Sequence, residues 1–268
     1  AGGFASLTPD ACAALRTAPT IMGPSRHLSL LPNLPAQKLV WPVPFQAGID
    51  QLLAMRGQPV AVLVSGDPFW FGAGSQLVCS LDHKEWLALP GRSCFSLAAS
   101  VLGWALDSTA CLGLHAAPLT RLRPYLSPGR RLLVTLRDGQ AVQDLADYLA
   151  TSGFAQSQLT VLEKLAGPKQ TVTLISASHT VEADFQHPVM VGIEVAGKGR
   201  VMQQSSGLSD DWFAHDGQLT KQPVRAATLA ALAPQPGQYL WDLGAGSGSV
   251  AIEWLLSGPA MQATAVEK

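Results

Sequence analysis

The sequence predicts an α/β protein: two α/β sub-domains in series, a linker, and then the opening unit of a doubly wound sheet. Three observations predict it. Residues 239–268 read strand, glycine loop, helix and strand in unbroken succession. Residues 59–65 (PVAVLVS) form a continuous apolar run that breaks at Gly66-Asp67-Pro68, and such a run suits a strand buried on both faces of a parallel sheet. Residues 159–165, 170–176 and 189–195 are strand-like and closely spaced, which suits antiparallel pairing.

The elements follow in order. Residues 7–18 are helical, with Thr8 as N-cap and Pro9 in the first turn. Residues 22–31 are short and mixed, and Pro32, Pro35, Pro42 and Pro44 mark an irregular segment. A helix over 45–55 ends before Gly57, and the strand over 59–65 follows. Gly72 and Gly74 open a helix to about residue 81, and residues 86–89 are a short strand. The helix over 93–103 carries small residues on one side. Next come a strand over 110–114, a helix over 118–126 and a strand over 131–136. After the Asp138-Gly139 turn, residues 140–151 are an amphipathic helix with Val142, Leu145, Ala146 and Leu149 inward, stopped by Gly153. Residues 198–210 are polar and rich in Gly and Ser, the composition of a linker. A helix over 221–232 leads into the final unit. The domains expected are therefore 1–106, 107–197 and 211–268, with 198–210 joining the last two. The chain starts without Met and stops one residue past Glu267, so a fragment is expected.

Composition narrows the class. Of 268 residues, 47% are hydrophobic and 14% charged, with a net charge of −1, so a large core is easily filled and a nucleic-acid surface is not indicated. The longest apolar run, 95–106, is too short for a bilayer. Cys12, Cys79, Cys94 and Cys111 are scattered, as expected of reduced thiols in a cytoplasmic protein. The histidines show no metal-ligand spacing, so no metal site is expected.

The chemistry concentrates in two places. Gly244, Gly246 and Gly248 alternate with Ala245 and Ser247 after Asp242, and Glu267 stands about 20 residues on. Glycines let a ligand approach backbone N–H groups at a helix start, and the acid can accept ribose hydroxyls. The G-x-G-x-G spacing departs from the G-x-G-x-x-G of dinucleotide folds, which disfavours a nicotinamide dehydrogenase. The second place is Gly66-Asp67-Pro68 with Gly72, at the carboxyl end of a parallel strand, where open α/β sheets bind ligands.

These motifs carry a resemblance. VLVSGDPFWFG and the small-residue helix after it resemble the tetrapyrrole methylases. GLSDDWFAHDGQLTKQPVRAATLAAL with LWDLGAGSGSVAIEW resembles the Rossmann-like class I C15-methyltransferases of cobalamin synthesis. Together they are similar to bifunctional, decarboxylating C(5,15)-methyltransferases of precorrins. The resemblance implies S-adenosylmethionine (SAM) as cofactor, an anionic precorrin as substrate, and methylation at C5 and at C15 with loss of the ring C acetate carboxyl. It leaves room for a homo-oligomer, and a SAM or tetrapyrrole binder without turnover is the alternative. By the resemblance, Gly66, Asp67, Pro68, Gly72, Ser93, Ser96 and Ala98 would line the first SAM site. Thr220, Gly244, Ala245, Gly246, Ser247, Gly248 and Glu267 would line the second. Ala116 and Ala117 depart from the family pattern, which usually has Gly and Arg there. His115, Arg121 and Arg123 are candidates for the substrate carboxylates, although surface arginines flanking a strand are the commoner reading. No catalytic base is assigned, because SAM is already an activated electrophile.

Overall fold

The computed structural model describes residues 2–178 and 184–268. The chain forms two compact units, Ala1–Arg200 and Val201–Lys268.

The first unit opens with α1 (Pro9–Thr17), where the Thr8 hydroxyl accepts the Ala11 N–H at 3.3 Å. Then follow β1 (Thr20–Gly23), the single turn α2 (Ser25–Leu28), β2 (Gln37–Val40), α3 (Phe45–Ala54) and β3 (Val60–Val62). The three strands are parallel, in the order β2-β1-β3. The strand expected at 59–65 is therefore parallel as read, but it is short, half-buried and at an edge. The doubly buried centre is β1, whose Ile21 and Met22 are fully buried. Four residues of TIMG before a proline are too few to announce a central strand. After β3 come α4 (Gly74–Val78) and α5 (Cys94–Leu102). Residues 86–89 form no strand, and Leu87 there is exposed to solvent.

The second half of this unit contains β4 (Ala110–Gly113), β5 (Arg131–Thr135), α6 (Gln140–Thr151), β6 (Gln158–Glu163), β7 (Thr171–Ser176) and β8 (Val189–Glu194). They build a five-stranded sheet in the order β4-β5-β8-β6-β7. The β4–β5 pair is parallel and the remaining pairs are antiparallel. The helix expected at 118–126 is a 3-10 helix, Leu119–Tyr125, with Pro124 inside it; proline lacks the N–H an α-helix needs there.

Strand alternation sends side chains to both faces of this sheet. Leu132 and Val134 of β5, with Val191 and Ile193 of β8, pack with Val142, Leu145 and Leu149 of α6. Leu133 and Met190 point the other way and pack with Phe95, Ala98 and Ala99 of α5. Gly192 keeps that second face open: a Cβ there would stand 2.6 Å from Leu102 Cδ1. Thus α5, which the sequence places with the first sub-domain, is covered by the sheet of the second. Phe95 is fully buried, and truncating it to Ala would cost about 3–5 kcal/mol.

The second unit contains α7 (Gln222–Leu232), β9 (Tyr239–Leu243), α8 (Ser249–Leu256) and β10 (Gln262–Val266), with β9 and β10 parallel. Leu229, Trp254 and Met261 form its core. The stretch read as a linker has no regular element before Asp210, yet Gly207 and Leu208 are buried in this unit. No helix among the described residues is long and apolar enough to cross a membrane.

Candidate cofactor sites

In the first unit, the carboxyl end of β3 meets the amino end of α5. Gly66 adopts φ +58, which favours glycine. Its carbonyl accepts the Gly91 N–H at 3.3 Å, and a Cβ on it would lie 3.4 Å from Ser93 Cα. Asp67 Oδ1 accepts the Phe69 N–H at 2.8 Å and so organises its own turn. Pro68 is buried, and a Cβ on Gly72 would be 2.6 Å from the Pro68 carbonyl oxygen. The turn can close only with glycine at that position.

Across from it, Ser93 caps α5: its Oγ accepts the Ser96 N–H at 3.0 Å and lies 2.9 Å from Ser96 Oγ. Gly66, Asp67, Pro68, Gly72, Ser93 and Ser96 thus belong to one neighbourhood. Ala98 does not line it; one turn further in, it is completely buried in the core under the five-stranded sheet. Cys94 lies at the helix start, and burial pushes its thiol up, away from thiolate. Phe71, at φ +54, lies against Gly113 at the end of β4, and Trp70 stacks on Phe95 at 5.7 Å.

The expected substrate residues each have their own surroundings. His115 lies beyond β4, with Nδ1 3.2 Å from Thr135 Oγ1. Arg121 is exposed on the 3-10 helix. Arg123 donates to the Arg200 carbonyl and lies over the Phe154 ring at 5.8 Å. Its guanidinium is therefore engaged with the backbone at Arg200 and with the Phe154 ring. Arg131 and Arg137 pair with Glu194 and Asp138.

In the second unit, Gly244, Gly246 and Gly248 have φ of +73, +53 and +70. That alternation of left-handed residues is what the G-x-G-x-G spacing encodes. A Cβ on Gly244 or Gly246 would meet nothing within 4 Å, so conformation and not crowding demands glycine here. Glu267 Oε2 accepts the Gly246 N–H at 2.6 Å, and this bond holds its carboxyl below the usual range. Asp242 Oδ2 accepts the Ala251 N–H at 3.3 Å and ties β9 to the first turn of α8. Ser247 Oγ is buried with no hydrogen-bond partner among the described residues.

Sequence reasoning missed the support behind this loop. Arg225 of α7 is 0% exposed and Glu253 of α8 is 5% exposed. Arg225 Nε donates to Glu253 Oε1 at 2.5 Å, Nη1 to Asp210 Oδ1 at 3.2 Å, and the same group reaches the Thr220 and Leu208 carbonyls. Glu253 also accepts the N–H groups of Gly207 at 2.5 Å and Leu208 at 2.9 Å. The Phe213 ring lies 4.5 Å from the guanidinium. Arg225 thereby fixes Thr220 at the foot of α7. Two opposite charges on adjacent amphipathic helices were the only available signal. No group of three or more His, Cys, Asp or Glu able to hold a metal occurs among the described residues.

Two strand-end turns, one against a capped helix and one alternating left-handed glycines before a helix, define an α/β protein built to bind a nucleotide-like ligand. Residues 1–179 match the tetrapyrrole (corrin/porphyrin) methylases and residues 211–268 the precorrin methyltransferase domain. The chain belongs to the tetrapyrrole methylase family. It is 44% identical over 269 residues to a precorrin-6Y C(5,15)-methyltransferase [decarboxylating] of Sinorhizobium sp, covering 99% of this chain and 65% of that protein. A protein of the same description from Mycobacterium tuberculosis is 36% identical over 275 residues, covering 100% of this chain and 68% of its own length. The crystal structure of a Thermus thermophilus uroporphyrin-III C-methyl transferase complexed with S-adenyl homocysteine superposes with a TM-score of 0.56. It is 23% identical and covers 72% of this chain and 93% of its own, a likeness of fold. The tetrapyrrole methylase fold expected for the first part is thus the fold found.

Proposed function

We propose that this chain serves SAM-dependent methylation of an anionic precorrin. The unit Ala1–Arg200 would act at C5, and the unit beginning at Val201 at C15, with loss of the ring C acetate carboxyl. The observation that carries this reading is the meeting of the Gly66-Asp67-Pro68 turn with the capped start of α5. The names of the relatives support the substrate class. We assign residues 1–106 and 107–197 to the C5 module, 198–210 to the connection and 211–268 to the C15 module, with α5 shared by packing between the first two.

The residues fit the cofactor. Gly66, Asp67, Pro68, Gly72, Ser93 and Ser96 would hold it in the first unit; Thr220, Gly244, Ala245, Gly246, Ser247, Gly248 and Glu267 would hold it in the second. The unpartnered Ser247 hydroxyl and the open space beside Gly244 and Gly246 are what a polar ligand in the loop requires. When bound, SAM supplies an activated methyl on a sulfonium. The chain's part is to align the reacting carbon and exclude water.

Calorimetric titration with SAM and with NAD tests this, with SAM expected to bind and NAD not. Gly246→Val places a β-branched residue at φ +53, which it adopts only under strain. It should remove binding in the second unit and leave the first. Binding of NAD without SAM would refute the reading. A full chain that bound SAM but never methylated a precorrin would be a binding protein instead.

A further inference from the structure

The carboxyl ends of β1 and β3 carry a cluster outside the residues assigned above. From β1 the chain runs first to β2 on one side and later to β3 on the other, and open α/β sheets bind ligands where the strand order turns in this way. The Leu63 N–H donates to the Met22 carbonyl at 2.8 Å and carries the β1–β3 register past the end of β3. Ser65, the residue before Gly66, then meets α2: its Oγ lies 3.1 Å from His27 Nε2, and Arg26 Nη2 lies 3.1 Å from the same nitrogen. A guanidinium only donates, so Arg26 fills the single lone pair of Nε2. The Ser65 hydroxyl then keeps its proton for another acceptor. Ser65 and Arg26 are exposed, and His27 is half-buried.

The charge of Arg26 is unusual in this chain. Arg56, Arg131, Arg137 and Arg225 each pair with a carboxylate. Arg26 pairs with none among the described residues and bonds to an imidazole instead. Burial lowers the pKa of both Arg26 and His27, and the Arg26 charge lowers that of His27 further. The ring is therefore neutral at neutral pH. A partly desolvated cation without a counter-ion costs the fold stability, and an anion from outside offsets that cost. An acid in place of His27 would hold the guanidinium and cancel its charge. A neutral imidazole holds it and leaves the charge for a ligand.

We propose that Arg26 and Ser65 form a carboxylate subsite of the first unit, with His27 as the residue that positions the guanidinium. This rests on the functional reading above, which brings two carboxylate-bearing molecules to this unit, the anionic precorrin and SAM. With one N–H on His27, the guanidinium keeps most of its donors, enough for a two-point grip on a carboxylate. The Ser65 O–H donates to the same group from the side of Gly66. The chemistry is the same for a peripheral carboxylate of the macrocycle and for the amino-acid carboxylate of SAM, and the two sources separate by which affinity the subsite controls.

The test uses the full chain with SAM and a precorrin. Arg26→Gln removes the charge at an exposed position, so its melting temperature should stay that of the wild type. With a precorrin carboxylate in the subsite, KM for methylation by the first unit should rise about 10- to 100-fold, with kcat and the calorimetric affinity for SAM unchanged. With the carboxylate of SAM there, the SAM affinity should fall by that factor and the precorrin KM should hold. Arg26→Lys, which keeps the charge without the planar fork, should recover part of the loss in either arm. His27→Phe, which removes the acceptor that anchors the guanidinium, should weaken the same constant by a smaller factor and leave kcat unchanged. Wild-type values of both constants in Arg26→Gln overturn the proposal alone, as does a fall in kcat with both constants unchanged. A wild-type chain that binds SAM and transfers no methyl to a precorrin overturns the functional reading together with it.

Discussion

Replacing Arg225 with Met should unlatch the second unit. The side chain is 0% exposed and bridges Glu253, Asp210 and the carbonyls of Leu208 and Thr220. Met fills much of its volume and supplies none of its donors. The Glu253 carboxylate would stay buried with two backbone N–H donors and no counter-charge. Breaking a buried pair from one side costs about 3–5 kcal/mol. A unit as short as Val201–Lys268 has a total stability of only about 3–10 kcal/mol by the usual per-residue scale. The loss is therefore comparable to everything holding that unit folded. Hydrogen exchange of the full chain reads it directly: the Gly207 and Leu208 amides, both bonded to Glu253, should exchange about a hundredfold to several thousandfold faster. Protection within 131–176 should not change. A doubly apolar Arg225→Met, Glu253→Met chain should not recover, because the Gly207 and Leu208 N–H groups then lose their acceptors too. Wild-type protection of those two amides in Arg225→Met would refute the latch.

Three further outcomes are expected. Gly139→Ala should be destabilised by about 1–3 kcal/mol, measured by urea unfolding, because its Cβ would stand 1.8 Å from the Phe185 carbonyl oxygen. Ser93→Ala should cost about 1 kcal/mol of stability and lower the melting temperature, since it leaves the Ser96 N–H without its cap. His27 should make the chain acid-sensitive. Its folded pKa lies below the ordinary 6.5, so the unfolded chain binds the proton first. Stability is then full above about 6.5 and is lost as pH falls from there toward the folded value. The urea midpoint of the wild type should therefore drop more between neutral and mildly acidic pH than that of His27→Asn.

Local patterns were legible where one element decides its own conformation. The amphipathic period of 140–151 marked α6 at both ends, and the glycine alternation marked the loop after β9. What was not legible depends on partners far along the chain. β1 is four residues long and declares itself only by pairing with β2 and β3. His27 and Ser65 meet through that same pairing, and neither carries a local signal. Arg123 looked like a substrate arginine beside its neighbours, yet its fate is set by Phe154 and Arg200. Residues 86–89 were apolar enough for a strand, but no neighbouring strand offers them a ladder.

The hydrogen bond from Gly246 N–H to Glu267 has a consequence for how a ligand arrives. The carboxylate expected to meet a ribose already grips the loop that would cradle the rest of the molecule. The loop is thus pre-organised, and little of its entropy remains to be lost on association. A ribose at Glu267 would use the other carboxylate oxygen, leaving the grip on Gly246 in place. The loop then keeps the same internal bond before and after association. Shortening the acid with Glu267→Asp would loosen the resting loop, raise the entropy lost on association and so weaken binding.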